Sequence, residues 1–416
     1  MFECRLIETE TMTNYVAFDA QRAIDYVTSL IESNQYDFFT IGSTLSAYEF
    51  GDGNLNLVFR ITDSRGKSVI LKQALPYARC VGESWPLTLD RARIEAEVLL
   101  NHGAICPAHT VNILHYNKEL ALTVLEDLGH LQILRTAQNN AEHFTKLSVH
   151  VATYLSQTGF YNSDFYLSAQ DKKARVNQFT NPELCQITED LFFSDPYIDH
   201  ERNNYPTQLQ HEVEAIRQNN ALKLEIAKLK ANFLSNPQTL LHGDMHSGSI
   251  FVDTNTTKMI DPEFGFFGPI GFDIGSFIGN ILINYCAQHG HISDREARRQ
   301  YQSNLFSTLV ECYTLFENQW LELIEKQTTD KSFNVIGYAD YFMGLVLKDA
   351  IGYCGAELIR RTIGLAHVAD IDSIADQHIR LSVQKQVLAL GEQLILNAQT
   401  CNTKDAFFSL LVSQLN

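Results

Sequence analysis

The chain has 416 residues, of which 45% are hydrophobic and 19% charged, with a net charge of −17. That length is large for one compact core, so two lobes are expected, and the composition is that of a soluble globular protein. The acidic balance argues against nucleic acid and an anionic membrane surface, both of which are bound by Lys and Arg, but not against a nucleotide, which needs only a local basic group and a metal.

Met1 to Thr13 is acidic and lacks an apolar core, so no signal peptide is expected. Residues 14–34 have helical spacing, which predicts a helical N-terminal extension over 1–44. Glu49-Phe50-Gly51-Asp52-Gly53-Asn54 reads as a turn-rich segment, followed by an alternating strand from Leu55 to Ile61. Asp63-Ser64-Arg65-Gly66 turns the chain into a second β run, Val69 to Gln73. A helix is predicted from about Leu89 to Asn101, carrying Arg91, Arg93, Glu95 and Glu97. Leu120 to Leu125 is a third strand, ending at Glu126-Asp127-Leu128-Gly129.

Beyond Gly129 the pattern is mostly helical. This gives an α+β chain with a β-rich lobe over 1–128 and a helical lobe over 129–416. The longest apolar run, Ile274 to Cys286, is too short and interrupted to span a bilayer. Eight cysteines lie mostly in apolar stretches and form no C-x-x-C pair, which suits reduced, buried thiols in a cytoplasmic protein.

The stretch Leu240-Leu241-His242-Gly243-Asp244-Met245-His246 through Asp253, with Asp261-Pro262-Glu263 after it, is the most informative. Ser249 to Val252 and Lys258 to Ile260 flank a turn cluster, which predicts a hairpin. That hairpin is expected to bring Asp244, Asp261 and Glu263 to one edge. Converging carboxylates are costly unless a cation or proton relieves them. Phosphoryl transfer from a magnesium nucleotide needs such a set: one carboxylate orients the acceptor hydroxyl and others hold metal on the phosphates. Elsewhere, Lys72 lies in an apolar β run and needs an anion, either a phosphate or a helix glutamate. Glu95 and Glu97 point to different faces, and Glu95 is expected to pair with Lys72 because it lies nearer the packed side. The glycines of Gly51-Asp52-Gly53 could admit a phosphate to the backbone, although a hairpin turn explains them equally well. His246 and His367 are expected to be structural, and Phe264, Phe266 and Phe267 to be core.

The order of glycine-bearing turn, strand Lys, helix Glu, linker, His-Gly-Asp loop and acidic loop resembles the two-lobed protein-kinase-like fold of aminoglycoside phosphotransferases. Within that superfamily the chain is similar to the methylthioribose kinase family. Four segments carry the likeness: Gly51 to Phe59, Gly82 to Arg93 around Trp85, Asp261 to Phe264, and Glu357-Leu358-Ile359-Arg360-Arg361-Thr362-Ile363-Gly364. The resemblance implies ATP- and Mg2+-dependent phosphorylation of 5-methylthioribose at its 1-hydroxyl, a step of methionine salvage, by a homodimer. It also implies roles by position. Asn56 and Lys72 meet the nucleotide phosphates or their surroundings. Glu126, Asp127 and Leu128 line the adenine site, mainly by backbone. Asp244 is the catalytic carboxylate, Asp261 and Glu263 flank Pro262 and hold metal, and Trp85, Arg360 and Arg361 take the sugar.

Two departures from the superfamily stand out. Glu263 occupies the third position of the metal loop, where protein kinases have glycine, and Ser249 stands where many relatives have a metal-binding Asn. Alternatives are a kinase of choline, homoserine or an aminoglycoside, or an inactive kinase-like binding protein. The Arg pair disfavours a cationic acceptor, and the presence of Lys72, Asp244 and Asp261 disfavours inactivity.

Overall fold

In a computed structural model of the chain, residues 15–34, 36–51, 55–77 and 85–415 are described. Asp52, Gly53 and Asn54 of the glycine turn, and Gly82, Glu83 and Ser84 before Trp85, lie outside the described residues. Two compact units divide the chain: residues up to Ala96 with Asn112–Asp127, and Glu97–Val111 with Leu128 onward.

The first unit is built on an antiparallel sheet of β1 (Leu45–Phe50), β2 (Asn56–Asp63), β3 (Ser68–Ala74), β4 (Ile113–Asn117) and β5 (Leu122–Glu126), in the order β1-β2-β3-β5-β4. Glu49 and Phe50, read from sequence as turn, are strand residues paired with Phe59 and Val58. The edge strand β4 went unforeseen, since all five of its residues are half-buried and no alternation marks it. Helix α1 (Ala20–Glu32) is capped by Asp19, whose Oδ1 accepts from the Arg22 amide at 2.8 Å. It buries Ala23, Val27 and Ile31, one residue per turn, against Phe59, Ile61, Val69, Leu71, Leu122 and Val124. The extension thus covers a sheet face, and each large apolar side chain removed from water there contributes about 1.5–3 kcal/mol. Helix α2 (Arg91–Ile105) starts in this unit and ends in the second.

The second unit runs through β6 (Gln132–Ile133), α3 (Leu134–Asn139), α4 (Leu147–Tyr161), α5 (Ala169–Gln178), α6 (Pro182–Phe193), α7 (Gln210–Gln218) and α8 (Asn220–Ser235). Next come β7 (Thr239–Leu240), the hairpin of β8 (Ile250–Val252) and β9 (Thr257–Met259), and β10 (Phe267–Gly268). The chain closes with α9 (Gly271–His291), α10 (Arg295–Gln327), α11 (Tyr338–Ile363), α12 (Ala369–Asp372), α13 (Gln377–Asn397) and α14 (Lys404–Leu415). Buried residues of α4, α9, α10, α11 and α13 form its main core.

Helices α9 and α11 pack unusually closely, and glycine is the cause. A Cβ on Gly275 would lie 2.6 Å from the Ala350 carbonyl oxygen and 2.8 Å from the Cys354 nitrogen. One turn on, a Cβ on Gly279 would stand 3.0 Å from Glu357 Cγ. Small residues at this spacing let the backbones meet, and the end of α11 carries Arg360 and Arg361 towards Asp244 in the loop that follows β7. Cys106, Cys286, Cys312, Cys354 and Cys401 are buried free thiols and Cys185 is a half-buried one. No helix among the described residues is long and apolar enough to cross a membrane.

Candidate active site

In the first unit Lys72 sits on the central strand β3, between Val58 of β2 and Thr123 of β5. Its Nζ donates to Glu95 Oε1 at 2.8 Å, with both side chains almost fully buried. Glu97 is half-buried and accepts instead from Gln178 at 2.8 Å. The side-chain oxygen of Asn56, at the start of β2, accepts from Arg91, which also donates to the carbonyls of Leu55 at 2.7 Å and Leu75 at 2.9 Å. Arg91 therefore fixes the start of β2, a role that helix propensity alone did not reveal. The Asp127 carboxylate meets Arg60 at 2.7 Å and accepts from Ser68 at 2.6 Å. The Asn112 amide donates to the Glu126 carboxylate at 2.7 Å, while Glu126 donates its own amide back to the Asn112 carbonyl at 3.0 Å. Leu128 is buried in the second unit, and Trp85 is half-buried in the first.

The second unit holds the His-Gly-Asp loop. Buried Asp273, at the start of α9, accepts from the His242 amide at 2.7 Å and the Gly243 amide at 3.0 Å, clamping the loop from below. Both backbone partners of His242 fix its tautomer. Nδ1 accepts from the Asp244 amide at 3.3 Å, so Nε2 carries the proton that it donates to the Ile260 carbonyl at 2.8 Å. That bond ties the His-Gly-Asp loop to the acidic loop, one residue before Asp261. Gly243 has φ +83°, and a Cβ there would come within 2.2 Å of the Phe264 carbonyl oxygen, so only glycine fits.

Asp244 is 28% exposed, and its two oxygens have different surroundings. His246 Nδ1 accepts from the Gly248 amide at 2.9 Å, which leaves Nε2–H to face Asp244 Oδ2 at 3.2 Å. Oδ1 is approached by Arg361 Nη2 at 3.6 Å and Arg360 Nη2 at 3.8 Å, beyond hydrogen-bond length. Burial by itself would raise the Asp244 carboxyl, but His246, Arg361 and Arg360 outweigh it and hold the group well below the usual carboxylate range. His246 thus both holds the loop through the Gly248 amide and faces Asp244.

Asp261 adopts φ +68°, a left-handed conformation that Asp tolerates at a local cost. Glu263 is buried, and Asn181 Nδ2 braces this loop by donating to the carbonyls of Glu263 at 2.9 Å and Gly265 at 3.1 Å. Asp261 and Glu263 present oxygen donors, the type that suits magnesium. Among the described residues no group of three or more His, Cys, Asp or Glu side chains could hold a metal ion. The negative charge of Asp244 faces two guanidinium groups and an imidazole. Ser249 is buried, with Oγ 3.5 Å from His246 Nδ1, and its carbonyl accepts from the Ile260 amide at 3.0 Å across the hairpin.

Behind the Arg pair stands a polar network that sequence spacing did not disclose. Glu357 pairs with Arg360 Nε and, at 2.8 Å, with Arg361 Nε, and accepts from Asn280 Nδ2 at 2.9 Å. Asn280 accepts in turn from Arg135 at 2.9 Å, and Arg135 pairs with Asp370 at 3.0 Å. Arg360 also lies over the Phe192 ring, 4.9 Å from its centroid. His367 donates to the Asn204 carbonyl at 2.6 Å and meets Asp372 at 3.3 Å, a structural histidine as expected.

A buried Lys–Glu pair, a clamped His-Gly-Asp loop and a braced acidic loop define a phosphotransferase. Residues 47–307 match the profile of a family described as "Phosphotransferase enzyme family". The chain is 53% identical over 398 residues to a methylthioribose kinase of Yersinia enterocolitica, covering 95% of this chain and 98% of that one. It is 53% identical over 389 residues to a methylthioribose kinase of Yersinia pseudotuberculosis, covering 93% and 94% of the two chains. A methylthioribose kinase of Pectobacterium carotovorum is 50% identical over 400 residues, covering 96% of this chain and 98% of that one. The chain belongs to the methylthioribose kinase family of phosphotransferases, and is a small-molecule kinase with an α+β fold.

Proposed function

We propose that the chain transfers the γ-phosphoryl group of ATP to the 1-hydroxyl of 5-methylthioribose, giving the 1-phosphate, as a step of methionine salvage. The observation that carries this reading is Asp244 Oδ1, left without a hydrogen bond among the described residues and flanked by two guanidinium groups at 3.6 and 3.8 Å. A sugar hydroxyl placed there donates to the carboxylate while its oxygen faces positive charge. A quaternary ammonium acceptor gains little there, since Asp244 already faces two guanidiniums. The sugar assignment is supported by relatives that share about half of their residues with this chain across nearly its whole length.

In the proposed reaction Asp244 aligns the hydroxyl for in-line attack on phosphorus, the bond to the leaving ADP oxygen breaks, and the hydroxyl proton passes to Asp244 or to solvent. Because the carboxylate is held strongly anionic, it serves mainly to orient, and it takes the proton only as the new P–O bond forms. Arg360 and Arg361 offset negative charge gathering on the acceptor side. Lys72, fixed by Glu95, is assigned to the nucleotide phosphates, with Asn56 in their surroundings. The backbone of Glu126, Asp127 and Leu128 is assigned to adenine, and Trp85 to the sugar. Asp261 and Glu263 would hold Mg2+, which neutralises phosphate charge when bound. The reading extends to a homodimer in the cytoplasm, the latter supported by the free buried thiols.

The test is kcat/KM for methylthioribose, ribose and choline with ATP and magnesium, in the parent and in Arg360→Lys and Arg361→Lys. A lysine keeps charge and loses the planar fork. Methylthioribose should be strongly preferred and both variants impaired towards it, with nucleotide affinity by calorimetry unchanged. Equal turnover of choline, or an Arg variant defective only in nucleotide binding, overturns the reading.

A further inference from the structure

The fork between the two arginines carries a consequence for acceptor selection. Glu357, Arg360 and Arg361 lie three and four residues apart on α11, which puts them on one face of the helix. Glu357 is completely buried. One carboxylate oxygen takes Arg360 Nε, and the other takes Arg361 Nε at 2.8 Å together with Asn280 Nδ2 at 2.9 Å. Gly279, the neighbour of Asn280, leaves room for the Glu357 stem, since a Cβ there would stand 3.0 Å from Glu357 Cγ.

Charge-assisted N–H···O bonds close to about 2.7–2.9 Å when nothing opposes them. The terminal nitrogens of both arginines stop at 3.8 and 3.6 Å from Asp244. They stop there because each guanidinium is already anchored at Nε, with Arg360 resting on Phe192 and Arg361 Nη1 donating to the Ala366 carbonyl at 3.3 Å. Burial would raise the Glu357 carboxyl, but Arg360 and Arg361 bring it down to about 2, so it is anionic at any working pH. The local charges then cancel: two guanidiniums against Asp244 and Glu357, and behind them Arg135 against Asp370 at 3.0 Å.

We propose that Glu357 is a positioning and specificity residue: it holds Arg360 and Arg361 off Asp244, leaving a gap for the acceptor oxygen, and keeps that pocket neutral so that an uncharged sugar is accepted and an anionic one refused. This rests on the reading of the acceptor as an uncharged sugar. An anionic sugar gains little from cations already balanced, yet must still shed its water. The same balance disfavours retention of the phosphorylated product. Without Glu357 the arginines are free to close on Asp244 in the absence of ligand, and one positive charge is left over to attract an anion.

The experiment uses the full chain and measures acceptor KM, ATP KM and inhibition by ribose 5-phosphate for the parent, Glu357→Gln and Asn280→Ala. Glu357→Gln keeps the shape but can no longer accept from both arginines. Its acceptor KM should rise about tenfold or more and its ATP KM should hold within about twofold, as expected for a broken buried charge pair on the acceptor side alone. Its inhibition constant for ribose 5-phosphate should fall about fivefold or more, a gain of binding that a merely structural residue would not give. Asn280→Ala loosens Glu357 without changing charge, so acceptor KM should rise about threefold while the inhibition constant stays put.

A Glu357→Gln enzyme with unchanged acceptor KM and unchanged inhibition overturns the proposal. So does one that loses kcat, ATP affinity and thermal stability together with no gain in inhibition. If Glu357→Gln does not fold, an unchanged acceptor KM in Asn280→Ala overturns it. Parent turnover of methylthioribose against choline judges the acceptor reading separately, because the inhibition arm compares variant with parent and holds for any neutral sugar.

Discussion

Replacing Asp244 by Asn keeps the shape of the side chain and removes its charge, and the surrounding donors decide how the new amide sits. His246 must present Nε2–H, because its Nδ1 accepts from the Gly248 amide. The new amide therefore turns its oxygen to His246 and its NH2 to the Oδ1 position, between Arg361 Nη2 and Arg360 Nη2 at 3.6 and 3.8 Å. A donor is placed where the acceptor hydroxyl should donate, beside two further donors. Orientation and proton acceptance are lost together, for which about 10²–10⁴-fold in kcat is the expected loss. Two opposite charges 3.6 Å apart attract by about 4–5 kcal/mol at an effective dielectric near 20, so the arginines also lose a partner. Glu357 still holds both, and relief of the burial cost of the Asp244 carboxylate offsets part of that loss, leaving a net destabilisation of about 1–3 kcal/mol. Steady-state kinetics, ATP binding by calorimetry and thermal unfolding test the three parts. Retention of more than half the parent kcat removes Asp244 from the mechanism, and loss of ATP binding refutes its placement on the acceptor side.

Glu263→Ala is expected to raise the magnesium concentration needed for half-maximal activity; a titration curve matching the parent shows that Glu263 is not a ligand. Gly275→Ala drives a methyl group to 2.6 Å from the Ala350 oxygen, a backbone atom that cannot rotate away, so α9 and α11 must part at a cost of about 1–3 kcal/mol or more. An unchanged urea midpoint refutes that packing argument. Burial raises the Asp349 carboxyl to about 6 although Asn232 donates to it at 2.8 Å. The folded state therefore binds this proton more tightly than the unfolded one, and stability falls as pH rises from about 4 to about 6. Asp349→Asn should be more stable than the parent at pH 7 by about 1–3 kcal/mol, with the difference gone near pH 4. Parallel unfolding curves at the two pH values check this, and a variant equally destabilised at both overturns it.

What the sequence determined by itself is what local chemistry forces. A lysine inside an apolar strand must find an anion, and the packed side of α2 singled out Glu95 over Glu97. The turn Asp253–Thr257 between two apolar runs forces a hairpin, because its Asx geometry closes locally: Asp253 accepts from the Asn255 amide at 2.7 Å and from Thr256 at 2.6 Å. His242-Gly243-Asp244 was legible as a motif ahead of Asp261-Pro262-Glu263, whereas the contact with Phe264 that admits only glycine is tertiary. Tertiary structure alone decided the partners of these groups. Asp273 lies 30 residues beyond the Gly243 amide it clamps, and Asn280 lies 77 residues before Glu357. Arg135 reaches Asn280 across 145 residues. No periodicity links positions so far apart; Asn280 and Glu357 meet because glycine-spaced turns let α9 come close to α11. Packing also sets Arg361 and Arg360 at 3.6 and 3.8 Å from Asp244, a pairing that sequence spacing does not disclose. Residue type told which groups carry charge, and only the packing of helices told which charges cancel.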